Sequence, residues 1–176
     1  MSASRETRKN NVIEVLNKAR SMELYAIHQY MNQHYNLDDK DYGELAANMK
    51  LIAIDEMRHA ENFAERIKEL GGEPTSAMEG KVTKGQAVKD IYPFDMETED
   101  GTIDAYNQFS KTCHENGDIV SARLIERIIE EEQAHQTYFE NIAGHIADLG
   151  DTYLSKIAGT PSSTGPSKGF VIKAAE

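Results

Sequence analysis

Residues 55–59, Asp-Glu-Met-Arg-His, and residues 131–135, Glu-Glu-Gln-Ala-His, are the stretches that determine the fold class. Each contains a Glu-x-x-His motif, Glu56 with His59 and Glu132 with His135. Residues three apart on a helix share a face, so the two side chains of each motif can reach one ion together. One such motif is weak evidence, since glutamate is abundant in this chain. The glutamates of the two motifs are 76 residues apart, and so are the histidines, which indicates a repeat.

The offset of 76 residues extends beyond the two motifs. It also relates Glu23 to Glu99, Tyr30 to Tyr106, Phe63 to Phe139, and Asp55 to Glu131. The repeat predicts two equivalent helical hairpins, each with a lone glutamate on its first helix and a Glu-x-x-His on its second. Two such hairpins facing one another place four carboxylates and two imidazoles at mid-depth in a bundle.

Apolar residues at three- and four-residue spacing predict four long helices. These helices run over about Arg8–Asn36, Glu44–Leu70, Gln86–Asn116 and Ile119–Leu149. Residues 73–84 predict a long crossover between the second and third helices, and Pro93 predicts a kink or a late start of the third. Residues 151–158 predict a short fifth helix. The prediction is an all-α four-helix bundle over residues 1–158, with a flexible tail over residues 159–176 that is rich in Gly, Pro, Ser and Thr.

The composition excludes several classes of function. The 176 residues carry a formal net charge of -11, which disfavours binding to nucleic acid and favours the collection of cations. A single cysteine, Cys113, excludes a disulfide framework and CxxC metal sites within the chain. The polar N-terminus and the lack of a long apolar run predict neither a signal peptide nor a membrane span, so we expect a cytoplasmic location.

The predicted centre has the chemistry of a two-metal site. Buried carboxylates are costly unless they are paired or bind a metal. Carboxylate oxygen and imidazole nitrogen suit iron and manganese, and the lack of thiols argues against a structural zinc. The alternative is a bundle whose polar core residues form ion pairs. The helix stripes, however, do not carry six cations to pair with these residues.

The sequence resembles the bacterioferritins, of the ferritin-like superfamily, over about residues 5–158. The resemblance depends on the order and spacing of Glu23, Glu56-Met57-Arg58-His59, Glu99 and Glu132-Gln133-Ala134-His135. It implies a ferritin-like four-helix bundle with a di-iron centre that is also catalytic. In that centre Glu23 and Glu99 would be terminal ligands, Glu56 and Glu132 would bridge the metals, and His59 and His135 would be terminal ligands.

The resemblance also assigns residues around the ligands. The residue before each bridging glutamate would orient the opposite histidine, so we expect Asp55 near His135 and Glu131 near His59. Tyr30 is expected beside the metals with a hydrogen bond to a ligand carboxylate, and so is its repeat partner Tyr106. The alternatives are a role as a redox side chain for Tyr30 and an ordinary core position for both tyrosines.

Met57 follows Glu56 and therefore points about 100° away from the metal face. It shares its side of the helix with a strip of mostly small residues: Ala46, Lys50, Ala53, Ile54, Ala60 and Ala64. We expect this strip to lie outside the four-helix core and to need a partner. The resemblance implies a two-fold dimer surface there, with one haem per two subunits held by Met57 of each. The alternative is an interface methionine without a cofactor.

The function that the resemblance implies is iron storage and detoxification. Fe(II) would be oxidised by O2 or hydrogen peroxide, and the ferric product stored in a hollow shell of about 24 subunits built from two-fold dimers. The haem would serve electron transfer, with a ferredoxin-type protein as a candidate reductant. Leu51 stands where many members carry a histidine for a further iron site, and leucine cannot bind iron.

There are three rival functions, and the sequence excludes the first. A rubrerythrin-like peroxidase usually carries a CxxC module, which the single cysteine excludes. A di-iron oxidase that forms no shell would differ in particle size. A structural bundle or metal buffer without turnover would bind metal but consume no O2.

Overall fold

The computed structural model describes residues 4–165 and 169–173. Its helices are α1 (Arg5–Asp39), α2 (Gly43–Glu69), α3 (Val88–Glu115), α4 (Ile119–Leu149), α5 (Asp151–Ile157) and α6 (Phe170–Lys173). The predicted all-α bundle is confirmed, including the long connection between α2 and α3 and the short fifth helix. Within the described ranges, no helix is long and apolar enough to cross a membrane.

Helix α2 is shifted by one residue from its predicted bounds, and α1 and α3 differ more. Helix α1 is three residues longer at each end. Ser4 caps its start by accepting a 3.1 Å hydrogen bond from the Thr7 N–H. Helix α3 begins at Val88, five residues before Pro93, so the proline does not delay the helix. Pro93 lies in the second turn, where it removes one backbone hydrogen bond from a helix of 28 residues.

The helices form two antiparallel hairpins, α1 with α2 and α3 with α4. Gly117 turns the chain between α3 and α4 with φ +76°, a conformation that suits glycine. Helix α1 also packs on α3 in the opposite direction, since Tyr30 contacts Glu99 while Glu23 contacts Tyr106. The two hairpins are therefore related by a two-fold axis through the bundle, as the repeat predicts.

The crossover between α2 and α3 runs along α1 and is attached to it by hydrogen bonds. The Thr75 N–H donates to Asn17 Oδ1 at 2.6 Å, and the Glu79 N–H donates to the Ser21 carbonyl at 3.0 Å. Further along, Gln29 holds Thr83 through a pair of hydrogen bonds of 2.8 and 3.1 Å. These contacts satisfy backbone groups of a long loop and hold it against α1.

Apolar residues fill the bundle in two clusters, one at each end. One cluster includes Leu37, Leu45, Met49, Ile52, Ile91, Tyr92 and Phe139. The other includes Val12, Leu16, Phe63, Ile67, Tyr106, Ile125 and Ile128. The layer between them is polar, and it contains the predicted metal-binding residues.

The described part of the tail makes specific contacts with α2 and the α1–α2 turn. The Glu44 N–H donates to Thr160 Oγ1 at 2.8 Å, and the Gly159 N–H donates to the Asp41 carbonyl at 2.8 Å. Helix α6, which follows in the tail, contacts α2 through a hydrogen bond from the Phe170 N–H to Asp55. The sequence predicts a flexible tail because it is rich in Gly, Pro, Ser and Thr, whereas these contacts depend on tertiary structure.

Candidate metal centre

All six predicted metal-binding side chains meet in the polar middle layer of the bundle. Each is buried, with 0–2% of its surface exposed. They are Glu23 on α1, Glu56 and His59 on α2, Glu99 on α3, and Glu132 and His135 on α4. Each helix places them at its centre, where the surrounding apolar clusters exclude water.

The six side chains form two overlapping groups of four. One group is Glu23, Glu56, His59 and Glu132, and the other is Glu56, Glu99, Glu132 and His135. Within each group, one ligand atom per residue lies within 4.8 Å of the others. Glu56 and Glu132 belong to both groups, so the two groups adjoin and share these two carboxylates.

The His59 ring presents one nitrogen to the centre and the other to a supporting carboxylate. Its Nδ1 lies 2.9 Å from Glu56 Oε2 and 3.1 Å from Glu132 Oε1. Its Nε2 lies 3.0 Å from Glu131 Oε2. When His59 is neutral and its Nε2–H donates to Glu131, the Nδ1 lone pair is directed at the centre. A metal could then bind at Nδ1 in place of a proton.

The His135 ring has the equivalent arrangement. Its Nδ1 lies 3.1 Å from both Glu56 Oε1 and Glu132 Oε2, while its Nε2 lies 3.4 Å from Asp55 Oδ2. The crosswise prediction is therefore confirmed: Asp55 contacts the histidine of the other hairpin, as Glu131 does for His59.

Both predicted tyrosine contacts are present. The Tyr30 hydroxyl donates to Glu99 Oε1 at 2.6 Å, and the Tyr106 hydroxyl donates to Glu23 Oε1. Both phenols are fully buried. Each tyrosine therefore orients the lone glutamate of the opposite hairpin, since a donated hydrogen bond favours the ionised carboxylate.

The two lone glutamates are difficult to ionise without a cation. Burial raises the pKa of Glu23 well above its usual range, and the carboxylates of Glu132 and Glu56 raise it further. Burial and the same two carboxylates raise the pKa of Glu99 in the same way. Both side chains therefore hold a proton to a higher pH than an exposed glutamate does when no cation is present.

The bridging glutamates and the histidines form the charged part of the metal-free centre. Burial opposes ionisation of Glu132, but His59 and His135 outweigh it and lower the pKa of Glu132 to about 2. Burial likewise opposes protonation of both histidines, yet the surrounding carboxylates raise the pKa of each well above its usual range. In the metal-free centre, protons on the two histidines thus balance carboxylate charge that bound cations would otherwise balance.

Two buried carboxylate oxygens show that the centre fits cations. Glu56 Oε1 lies 3.1 Å from His135 Nδ1 and Glu132 Oε1 lies 3.1 Å from His59 Nδ1, and among the described residues neither oxygen has a well-aligned hydrogen bond from another donor. When the histidines are neutral these oxygens lose that cationic partner, and a bound cation would take its place. The donor set of four carboxylates and two imidazoles suits iron or manganese.

Met57 lies on the outside of the bundle, with 55% of its surface exposed. The predicted strip around it is only partly correct. Ala46, Ala53 and Ala60 are buried inside the subunit, so they do not form an outer face that needs a partner. Small side chains at these positions let α2 lie close to neighbouring helices of the same chain, as the hydrogen bond from Arg20 on α1 to the Ala60 carbonyl shows.

Two features near the centre were not predicted from the sequence. Arg58 donates to Asp55 and lies 3.6 Å from Glu131 Oε2, so one cation links the two supporting carboxylates. Gln33 Nε2 donates to the buried Asp95 Oδ1 at 2.7 Å, one helical turn from the Tyr30–Glu99 pair. Asp95 lies four residues before Glu99, so both share one face of α3. This spacing could have indicated from the sequence that Asp95 lies near the centre.

Comparison with known proteins identifies the family. Residues 13–149 match the family described as the ferritin-like domain. Bacterioferritin of Desulfovibrio desulfuricans is 77% identical over 172 residues, covering 97% of this chain and 96% of that protein. Bacterioferritin of Streptomyces coelicolor is 35% identical over 158 residues, covering 88% of this chain and 95% of that protein.

Solved structures agree with this assignment. The X-ray structure of Desulfovibrio desulfuricans bacterioferritin, which describes a diiron site in different catalytic states, matches with a TM-score of 0.93 at 76% identity. It covers 96% of this chain and 99% of that one. Mycobacterium tuberculosis bacterioferritin matches with a TM-score of 0.80 at 30% identity, covering 90% of this chain and 97% of that one. The chain therefore belongs to the bacterioferritins, within the ferritin-like family.

Proposed function

We propose that this protein stores iron and oxidises Fe(II) at the buried centre of the bundle. One observation carries the proposal: two four-residue ligand groups share Glu56 and Glu132, and every member is buried. The membership of the bacterioferritins supports it, and so does the diiron site described for the Desulfovibrio desulfuricans relative.

The proposed ligands are those of the sequence prediction. Glu56 and Glu132 would be shared by two iron ions, with Glu23 and His59 holding one ion and Glu99 and His135 holding the other. Two Fe(II) ions carry four positive charges, which balance the four carboxylates once both histidines are neutral. A buried site of zero net charge avoids the cost of an uncompensated charge in the core.

The reaction takes one electron from each of two Fe(II) ions. O2 accepts the two electrons with two protons and becomes hydrogen peroxide, or hydrogen peroxide accepts them with two protons and becomes two water molecules. The chain's part is to hold both Fe(II) ions together, so that the two electrons leave in one step. Asp55 and Glu131 keep the histidine rings in place, and the tyrosines keep Glu23 and Glu99 in place.

We further propose that copies of this chain assemble into a shell of about 24 subunits, with the ferric product stored inside. The exposed Met57 supports haem binding between two subunits, because its thioether lies outside the bundle, where a second copy can supply the matching ligand. The haem would carry electrons from a ferredoxin-type reductant. A cytoplasmic location agrees with this role.

The test is oxygen consumption after addition of Fe(II) to metal-free protein. A variant with Glu132→Ala and His135→Ala should lose fast oxidation, while His145→Ala, which changes a histidine outside the centre, should retain it. Fe(II) binding without O2 uptake by the parent protein would instead indicate a metal buffer. Elution as a small particle would indicate an oxidase that forms no shell.

A further inference from the structure

Residues 169–171 of the tail lie beside the metal centre and bind one of its supporting carboxylates, that of Asp55. The Phe170 and Val171 N–H groups donate to Asp55 Oδ2 at 2.6 and 2.9 Å. This is the same oxygen that lies 3.4 Å from His135 Nε2. The tail and a proposed metal ligand therefore share one acceptor atom.

The tail also covers the His135 side of the centre with an aromatic ring. The Phe170 ring centroid lies 6.1 Å from that of His135 and 5.1 Å from that of Tyr138. Edge and tilted arrangements at these distances are favourable for aromatic pairs. The contact places an apolar group directly outside a proposed ligand.

Gly169 is necessary for this close approach. Its φ is +96°, and a β-carbon there would overlap Asp55 Oδ1 and lie 3.3 Å from Arg58 Cζ. Glycine avoids both the strain and the overlap. A larger residue at position 169 would move the tail away from Asp55.

The tail makes two otherwise equivalent halves of the centre different. Glu131, which supports His59, has 27% of its side chain exposed. Asp55, which supports His135 in the same way, has 0% exposed. The pseudo-two-fold axis relates these two carboxylates, and the contacts of the tail fall on Asp55.

We propose that residues 169–171 are a cap that closes the His135 side of the centre and slows metal exchange there. This inference rests on the proposed metal centre and adds a difference between its two sites. The ion held by Glu99 and His135 exchanges after the cap detaches, whereas the ion held by Glu23 and His59 exchanges past the more open Glu131 side. The cap also holds Asp55, and through it the His135 ring, so Gly169 and Phe170 are positioning residues.

Release of Co(II) tests the cap without any turnover. The full-length metal-free protein is loaded with two Co(II) per subunit and mixed with excess EDTA, and the visible absorption of bound Co(II) is followed. We expect a fast phase and a slow phase of similar amplitude. Gly169→Val should accelerate the slow phase by about a hundredfold, since two hydrogen bonds to a charged acceptor are lost.

The control uses the same substitution at a second tail glycine. Gly165 also has positive φ, but a β-carbon there meets nothing within 4 Å, so Gly165→Val should keep both phases. Phe170→Ala should also accelerate the slow phase, and Phe170→Leu should largely preserve it, because leucine retains an apolar cover. The Phe170 variants keep the test valid if Gly169→Val is poorly produced.

Two results would overturn the cap: a single release phase in the parent protein, or an unchanged slow phase in both Gly169→Val and Phe170→Ala. Protein that binds no Co(II) at all would overturn the metal centre itself, and the cap with it. Biphasic release together with an absence of Fe(II) oxidation would support the cap while contradicting the proposed oxidase function.

Discussion

The Tyr30 hydroxyl donates a 2.6 Å hydrogen bond to Glu99 Oε1, linking α1 to α3 inside the bundle. The bond is made between residues 69 positions apart, and it has a counterpart in the other half of the centre, from Tyr106 to Glu23. A phenol donor stabilises an ionised carboxylate more than a protonated one. Tyr30 therefore favours the form of Glu99 that binds metal.

Tyr30→Phe should weaken metal binding with little effect on the fold. In the metal-bound protein the substitution removes a hydrogen bond to the ionised Glu99, so Co(II) affinity should fall by about tenfold. In the metal-free protein it removes one ordinary buried hydrogen bond, so the free energy of unfolding should fall by about 1 kcal/mol. Titration by absorption and thermal unfolding measure the two effects. Tyr153→Phe, which changes a tyrosine outside the centre, is the control. Unchanged affinity in Tyr30→Phe would show that the bond does not support the bound state.

Metal binding should release protons at neutral pH. Glu23, Glu99, His59 and His135 all have a raised pKa in the metal-free protein, and a metal must displace their protons. Affinity should therefore fall as pH drops, beginning near or above the usual histidine pKa of about 6.5, with most metal lost by about pH 4. Calorimetry in buffers of different ionisation enthalpy measures the proton count. Full occupancy below pH 4 would contradict this ligand set.

Glu99→Gln and Glu132→Gln should have opposite effects on the metal-free protein. Glutamine resembles the protonated form that Glu99 prefers, so Glu99→Gln should leave the free energy of unfolding unchanged or raise it by about 1 kcal/mol. Glu132 is the counter-ion of two histidines, so Glu132→Gln should cost about 2 kcal/mol. Denaturant unfolding of the parent and of each variant measures these changes in the free energy of unfolding. Equal destabilisation would mean that the two carboxylates have the same protonation state.

The pKa of Glu132 gives the pH range of its contribution. Because the pKa is lowered to about 2 in the folded protein, the stabilisation is present above the unfolded value of about 4.3 and is lost as pH falls from there toward 2. The difference in stability between parent and Glu132→Gln should therefore shrink across this range.

Asp118 should stabilise the turn between α3 and α4. It accepts a hydrogen bond from the Ser121 N–H at 3.0 Å, capping α4, and two from Arg66 Nη2 at 2.9 and 3.0 Å. Asp118→Ala should lower the free energy of unfolding by about 2 kcal/mol, and the exposed Asp104→Ala should not. Thermal unfolding of metal-free protein provides the comparison.

The contribution of Asp118 should also depend on pH. Burial opposes its ionisation, but hydrogen bonds from Ser121 and Arg66 outweigh burial and lower its pKa. A lowered pKa means that the stabilisation is complete above the unfolded value of about 3.9 and disappears as pH falls below it. A difference between parent and Asp118→Ala that persisted at pH 2 would indicate an effect independent of the charge.

Met57→Leu should eliminate bound haem while preserving the shell and Fe(II) oxidation. Leucine conserves volume and helix propensity but removes the sulfur. The parent protein should contain one haem per two subunits, since the ligand pair spans a dimer. Absorption spectra and elution volume measure both properties, and Met78→Leu, at another exposed methionine, is the control. Unchanged haem content in Met57→Leu would place the ligand elsewhere.

The centre could be predicted in detail because it follows from two periodicities. Helical spacing determines which side chains share a face, and the 76-residue repeat relates the two hairpins. Together they predicted the six side chains that the structure brings together. The contacts of Asp55 with His135 and of Glu131 with His59 were expected from the resemblance to the bacterioferritins, and the structure confirms them. The helix ends were less predictable, because the Ser4 cap extends α1 without any change in the apolar pattern.

Other features depend on contacts between segments that are far apart in the sequence and share no periodicity. The burial of Ala46, Ala53 and Ala60 depends on how closely helices of the same chain approach α2, which a helical wheel does not show. The return of Gly169 and Phe170 to Asp55 joins residues about 115 positions apart. A tail without apolar repeat pattern carries no local signal for such a contact, since its free energy comes from one buried carboxylate and one aromatic ring that folding brings within reach.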